Sequence, residues 1–168
     1  MEKDCSGFHP VVSKITNLLE TNHVWFETFQ HEPVLTSEQA ANIRTGYTLH
    51  QGAKALIVRY RTGQGHAFAM IVVSGDCRFN SKKAKQVLET DNLTFATEQE
   101  VADITDGVLV GGVPPFGNLF GLSVFVDQRV LENEKIIFNA GDRRFSIAMQ
   151  SRDYQELARP TITDIVEE

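Results

Sequence analysis

The chain is poor in the devices that staple small proteins together or carry ready-made chemistry. It has two cysteines, Cys5 and Cys77, far apart, with no Cys-x-x-Cys and no His-x-x-x-His pair, which argues against a structural zinc site. The first residues, Met1-Glu2-Lys3-Asp4-Cys5, are charged and no hydrophobic segment follows them. A cytoplasmic protein with reduced thiols is therefore expected. Long apolar runs are missing, so no segment is expected to cross a bilayer as a helix, and no membrane partner is called for. A surplus of positive charge is missing too: 16 Lys and Arg face 22 Asp and Glu, for a net charge of −6. That balance argues against DNA and against wrapping long stretches of any nucleic acid, while leaving room for a small footprint. Local basic groups occur at Arg44, Lys54, Arg59 and Arg61, at Lys82, Lys83 and Lys85, and at Arg143-Arg144; such groups are ordinarily solvated faces. There is no Gly-x-Ser-x-Gly elbow, no Cys-Gly-Ser-Cys run and no Walker lysine, so neither a covalent nor a P-loop mechanism has support, and no cofactor or metal is called for.

What is present fits one domain over residues 1–168, with a core from about 10 to 160. At 42% hydrophobic and 23% charged residues, it is long enough to bury about two thirds of its unfolded surface. Val11, Ile15, Leu18 and Leu19 recur at helical spacing behind Pro10, which predicts a first helix ending near Asn22. Val24 to Gln30 reads as a strand stopped by His31-Glu32-Pro33. Thr36 with Gln39 makes a capping box for a short helix through Ala40, Ala41 and Ile43. Gly52 to Val58 and His66 to Val73 read as central strands joined by Thr62-Gly63-Gln64-Gly65. Asn80 or Ser81 caps a helix with Ala84, Val87 and Leu88 inward and its lysines outward. Leu93 to Ala96 is a short strand, and Thr97 with Glu100 opens a helix that Gly107 ends. The remainder reads as a strand from Leu122 to Val126, a turn at Asp127 to Asn133, and a hairpin of Lys135–Phe138 and Phe145–Met149 around Asn139 to Arg144. A last helix is capped by Ser151 and ended by Pro160, and a loose acidic tail follows. Mixed neighbours and intervening helices predict an α+β domain with a strongly curved, barrel-like mixed sheet and helices outside.

Two stretches stand out. Gly111-Gly112-Val113-Pro114-Pro115-Phe116-Gly117 holds three glycines and two prolines in seven positions, a composition incompatible with helix or central strand. Apolar runs on either side predict a shaped loop joining two buried strands, the kind of rigid loop on which sites are built; a plain strand connection is the alternative. The second stretch is Gly52-Ala53-Lys54-Ala55-Leu56, where a lysine opens an apolar strand and either snorkels to solvent or holds an anion. Of the five histidines, His31, beside the Pro33 loop, is the candidate for facing a site.

These stretches, together with Phe138-Asn139-Ala140-Gly141, resemble the YbaK/ProX family, the free-standing relatives of the editing domain inserted in bacterial prolyl-tRNA synthetase. The resemblance covers roughly residues 11 to 160. It implies an aminoacyl-tRNA deacylase that hydrolyses the ester of a mischarged aminoacyl-tRNA, with the tRNA acceptor end as partner and an aminoacyl-tRNA synthetase as a further one. Lys54 would grip a phosphate of the acceptor end. The Gly111 to Pro115 loop would face its amides, those of Gly111 and Gly112 first, to the aminoacyl carbonyl. Val113, Pro114 and Pro115, with His31, Val34, Thr36, Ser37, Asn139 and Gly141, would form the substrate pocket. Where many cysteinyl-tRNA deacylases of this family carry serine and threonine, this chain has Pro114 and Ala55, so alanyl or seryl esters are favoured over cysteinyl. A non-catalytic tRNA- or synthetase-binding module of the same fold, and a small-molecule domain cradling another anion, stay open as alternatives.

Overall fold

The structure is a computed structural model that describes residues 5–33, 36, 38–39 and 46–168. Its first helix, α1 (Pro10–Thr21), begins on His9, whose side chain accepts the Val11 amide, and turns Val11, Val12, Ile15 and Leu19 inward. The expected stripe therefore forms, and it lies on the main core. Strand β1 (Phe26–Gln30) follows. The helix expected after Thr36 falls mostly on residues 40–43, outside the described residues; within them, Thr36 Oγ1 accepts the Gln39 amide at 3.1 Å, one half of the capping box.

Strands β2 (Ala53–Thr62) and β3 (Gly65–Ser74) form the long central hairpin. They lie inside a five-stranded mixed sheet of order β4-β2-β3-β5-β8, with β4 at Leu93–Phe95, β5 at Val124–Asp127 and β8 at Thr161–Thr163. β5 runs parallel to both β3 and β8. A second, three-stranded antiparallel sheet has the order β1-β7-β6, with β6 at Lys135–Asp142 and β7 at Phe145–Gln150. The fold is α+β as expected, but its strands make two open sheets and not one barrel-like sheet. The reason lies in β2, which is paired with β3 along its whole length and with β4 at Val58–Tyr60. β6 meets this segment just ahead of β2, where the sheets touch through an isolated Gly52–Ile137 bridge.

Three further helices complete the described elements: α2 (Ser81–Val87), capped by Asn80; α3 (Glu98–Thr105), opened by the full Thr97–Glu100 capping box; and α4 (Ser151–Ala158). Ser151 does not cap α4. Its hydroxyl donates to the carbonyl of Asn133, tying the helix to the short 3-10 turn at Val130–Glu132. Nor do the three lysines of α2 all point outward, since Lys83 is bonded to Asp164 and to the Val166 carbonyl. The tail is not loose. Ile165 and Val166 are fully buried, each worth about 1.5 to 3 kcal/mol by burial of that size of side chain. The buried Asp127 carboxylate accepts the Ile165 amide at 2.9 Å, which explains why a polar, acidic-looking end folds back.

Candidate active site

The apolar run ahead of the glycine loop is not a strand. Val108 is buried, but Leu109 is 64% exposed and Val110 43%, and the Gly112 amide closes a turn onto Leu109 O at 2.9 Å. Gly111 sits at φ +89°, a conformation that a side chain resists, and this lets the chain reverse within the turn. The loop therefore leads from α3 through a 3-10 turn, Gly117–Phe120, into β5.

Its carbonyls are held one after another. Val110 O accepts from Arg143 Nε at 2.7 Å and from Nη2. Gly111 O accepts from Asn139 Nδ2 at 2.7 Å, and Gly112 O from the Gly141 amide at 2.8 Å. Farther on, Pro115 O accepts the buried Tyr154 hydroxyl at 2.8 Å. In a planar trans peptide the C=O and the following N–H point in opposite directions. Tying three successive carbonyls to the β6–β7 hairpin thus turns the amides of Gly111, Gly112 and Val113 away from it. The Gly112 amide is used in the turn; among the described residues, those of Gly111 and Val113 have no partner. Two such amides on either side of one turn residue can serve an anion or a developing oxyanion.

Beside the loop lies an open cavity of about 420 Å³, walled by Leu109 and Gly112, by His9 at the start of α1, by Pro33, and by Gly141 to Arg144 of the hairpin. The hairpin turn is shorter than expected, since β6 continues through an irregularity between Asn139 and Asp142, leaving Arg143 and Arg144 at the tip. Their charges differ in effect. Arg144 is locked onto Asp142 by two hydrogen bonds of 2.9 Å, whereas Arg143 rests on a neutral carbonyl and keeps its charge. Arg144, helped by the His9 amide, holds the Asp142 carboxyl down at about 2. A carboxyl depressed in the folded state contributes stability above its unfolded value near 4 and loses it as pH falls toward 2. Urea midpoints measured from pH 5 to pH 2 should accordingly fall less steeply for Asp142→Asn than for the parent.

The expected site residues are brought together in part. Gly112 and Gly141 line the cavity, and Gly111 and Asn139 are bonded to each other beside it. His31 is linked to Asn139 through Ser146. Val113, Pro114 and Pro115 are buried, with Val113 packed into the main core, so they brace the loop from behind. Thr36 is exposed; Val34 and Ser37 lie outside the described residues. Lys54 does not line the cavity. It belongs to the face of β2 whose Leu56 and Val58 enter the smaller cluster, while Ala53, Ala55 and Ile57 enter the larger. Half-buried, it makes no hydrogen bond or ion pair among the described residues, and burial lowers its pKa against the opposing pull of Cys77 and Asp76. Asp76 and Cys77 stand with His50 in a group whose ligand-type atoms lie within 4.8 Å of one another. Within that group His50 Nδ1 is hydrogen-bonded to Asp76 at 2.9 Å. Pro33, in the segment expected to wall the pocket, is one of the cavity walls, whereas sequence reasoning missed His9, Gly107, Leu109 and Asp142; the Arg143-Arg144 pair was the visible signal beside Asp142.

Comparison with known proteins gives the family and the fold. Residues 31–157 match the family described as the aminoacyl-tRNA editing domain. The chain is 26% identical over 152 residues to the multifunctional Ser/Thr-tRNA deacylase ProXp-y of Escherichia coli strain K12, covering 90% of each. It is 26% identical over 120 residues to a proline–tRNA ligase of Stenotrophomonas maltophilia, matching 71% of this chain and 21% of the ligase. Among solved structures, one described as a putative trans-editing enzyme for prolyl tRNA synthetase superposes with a TM-score of 0.80 at 23% identity, covering 96% of this chain and 100% of the other. With three quarters of its length matched to the family and the fold shared, the chain belongs to the aminoacyl-tRNA editing domain family.

Proposed function

We propose that the protein acts in trans on mischarged aminoacyl-tRNA, hydrolysing the ester of a small amino acid, alanyl or seryl in preference to cysteinyl. The observation that carries this reading is the pair of Gly111 and Val113 amides, without a partner among the described residues, on a loop whose carbonyls are tied back one by one. An aminoacyl ester is already activated, so hydrolysis needs a positioned water and donors for the oxyanion more than a strong nucleophile. Water adds to the carbonyl carbon, the ester C–O bond breaks, and the ribose oxygen leaves with a proton. The substrate's own ribose hydroxyl or amino group orients the water, in keeping with a cavity that, among the described residues, is lined by no serine, threonine, cysteine or lysine. Gly112 acts through its turn, the free donors being its two neighbours. Lys54 holds a phosphate of the acceptor end, a role that a half-buried ammonium without a hydrogen-bond partner among the described residues suits. The Ser/Thr-tRNA deacylase among the relatives supports trans-editing in general. A synthetase cannot reject a residue smaller by one methylene more than about 10- to 200-fold, which gives a second site physical use.

The test is deacylation by the purified protein of tRNAs charged with alanine, serine, threonine and cysteine. Release of alanine or serine faster than cysteine is expected. Binding without release would establish the non-catalytic module instead, and neither binding nor release would overturn the reading.

A further inference from the structure

A row of hydrogen bonds crosses the small sheet and ends on the loop. His31 Nδ1 faces Glu32 O at 2.8 Å, and its Nε2 faces the Ser146 hydroxyl at 2.7 Å. Ser146, fully buried on β7, donates to Asn139 Oδ1 at 3.2 Å, and Asn139 Nδ2 donates to Gly111 O at 2.7 Å. The His31 amide is fastened to Arg144 O at 2.9 Å, which fixes the ring's origin.

The direction of the row follows from its far end. A carbonyl only accepts, so Asn139 must present its NH₂ to Gly111 and its oxygen to Ser146. Ser146 then spends its single hydrogen on Asn139 and can only accept from His31. His31 is therefore placed to donate to Ser146 from Nε2, while its Nδ1 faces the Glu32 carbonyl.

We infer that His31, Ser146 and Asn139 are positioning residues for the editing reaction. They lock the Gly111–Gly112 peptide, and with it the direction of the flanking Gly111 and Val113 amides. This role rests on the proposal that those amides receive the ester oxyanion. None of the three touches the reacting atoms. A preorganised donor is worth about 10² to 10³ in rate; loosening one without removing it costs less, roughly 10-fold or more.

Two measurements test it. In amide hydrogen exchange without substrate, His31→Ala, Ser146→Ala and Asn139→Ala should each speed exchange at Gly112, while β2 and β3 amides keep their protection. An unchanged Gly112 rate in both His31→Ala and Ser146→Ala would overturn the inference. In single-turnover deacylation, each variant should be slower by roughly 10-fold or more with half-saturating tRNA concentration unchanged. Because the residues act as one row, Ser146→Ala combined with Asn139→Ala should be no slower than Asn139→Ala alone. Asn139→Asp, which keeps the size but offers an acceptor to Gly111 O, should be as slow as Asn139→Ala. Additive losses, or full activity in Asn139→Asp, would refute the role. If the parent protein deacylates no tRNA, the functional reading fails, while the exchange data still decide whether the row holds the loop.

Discussion

Lys54→Met will lower deacylation by about 10- to 100-fold, as expected for loss of a charge-assisted contact worth about 1.5 to 3 kcal/mol. Methionine keeps most of the apolar stem and removes only the ammonium. Stability should hold or rise slightly, because a half-buried charge with no hydrogen-bond partner among the described residues is costly in the free protein. Burial already lowers the pKa of Lys54, and the attraction of Cys77 and Asp76 opposes this. A phosphate would relieve the same penalty. Lys54→Arg should recover activity incompletely, since a planar fork does not replace a compact ammonium in a confined position. Steady-state deacylation and thermal melting on the same preparations provide the check. Full activity in Lys54→Met would remove the lysine from the mechanism and leave the loop and its cavity to account for binding.

Gly141→Ala will be the most damaging small substitution in the site. Gly141 lies at φ +109°, and a Cβ there would sit 2.8 Å from both Cβ and Cγ1 of Val11. The strain of placing a side chain at positive φ is about 1 to 2 kcal/mol, and overpacking a closed contact adds about 1 to 3. Together these are a sizeable share of a domain stability of about 5 to 15 kcal/mol. The damage should also reach the chemistry, because the Gly141 amide holds Gly112 O at 2.8 Å; pushing β6 away from α1 moves that donor. Urea unfolding and single-turnover deacylation below the melting range should therefore both change. Gly63→Ala is a fitting control, since nothing lies within 4 Å of its added Cβ. If Gly141→Ala proves as stable and as active as the parent, the close approach of α1 to β6 does not set the loop.

Local signals in the chain were enough for much of this protein. The stripe of Val11, Ile15 and Leu19 behind Pro10, the Thr97–Glu100 capping box and the turn at Thr62 to Gly65 each act within a few residues, so the helices and the central hairpin were legible without a partner. The composition of the loop from Gly111 to Gly117, with Lys54 and Asn139-Ala140-Gly141, was equally legible, and it pointed to the editing-domain family. Tertiary structure decided what depends on distant pairing. One edge of β2 was taken by β3 along its whole length and part of the other by β4, while β6 met the chain at Gly52 just ahead of it, and the strands make two open sheets. The tail was drawn in by Asp127, nearly forty positions away. Leu109 and Val110, apolar and strand-like in isolation, turned to solvent because Gly111 reverses the chain beside them. Above all, which loop amides are free could not be read from the residues: it depends on which carbonyls Asn139, Gly141 and Arg143 reach. Hydrogen bonds between segments about thirty residues apart leave no periodic trace in a sequence, and they alone give this glycine loop its direction.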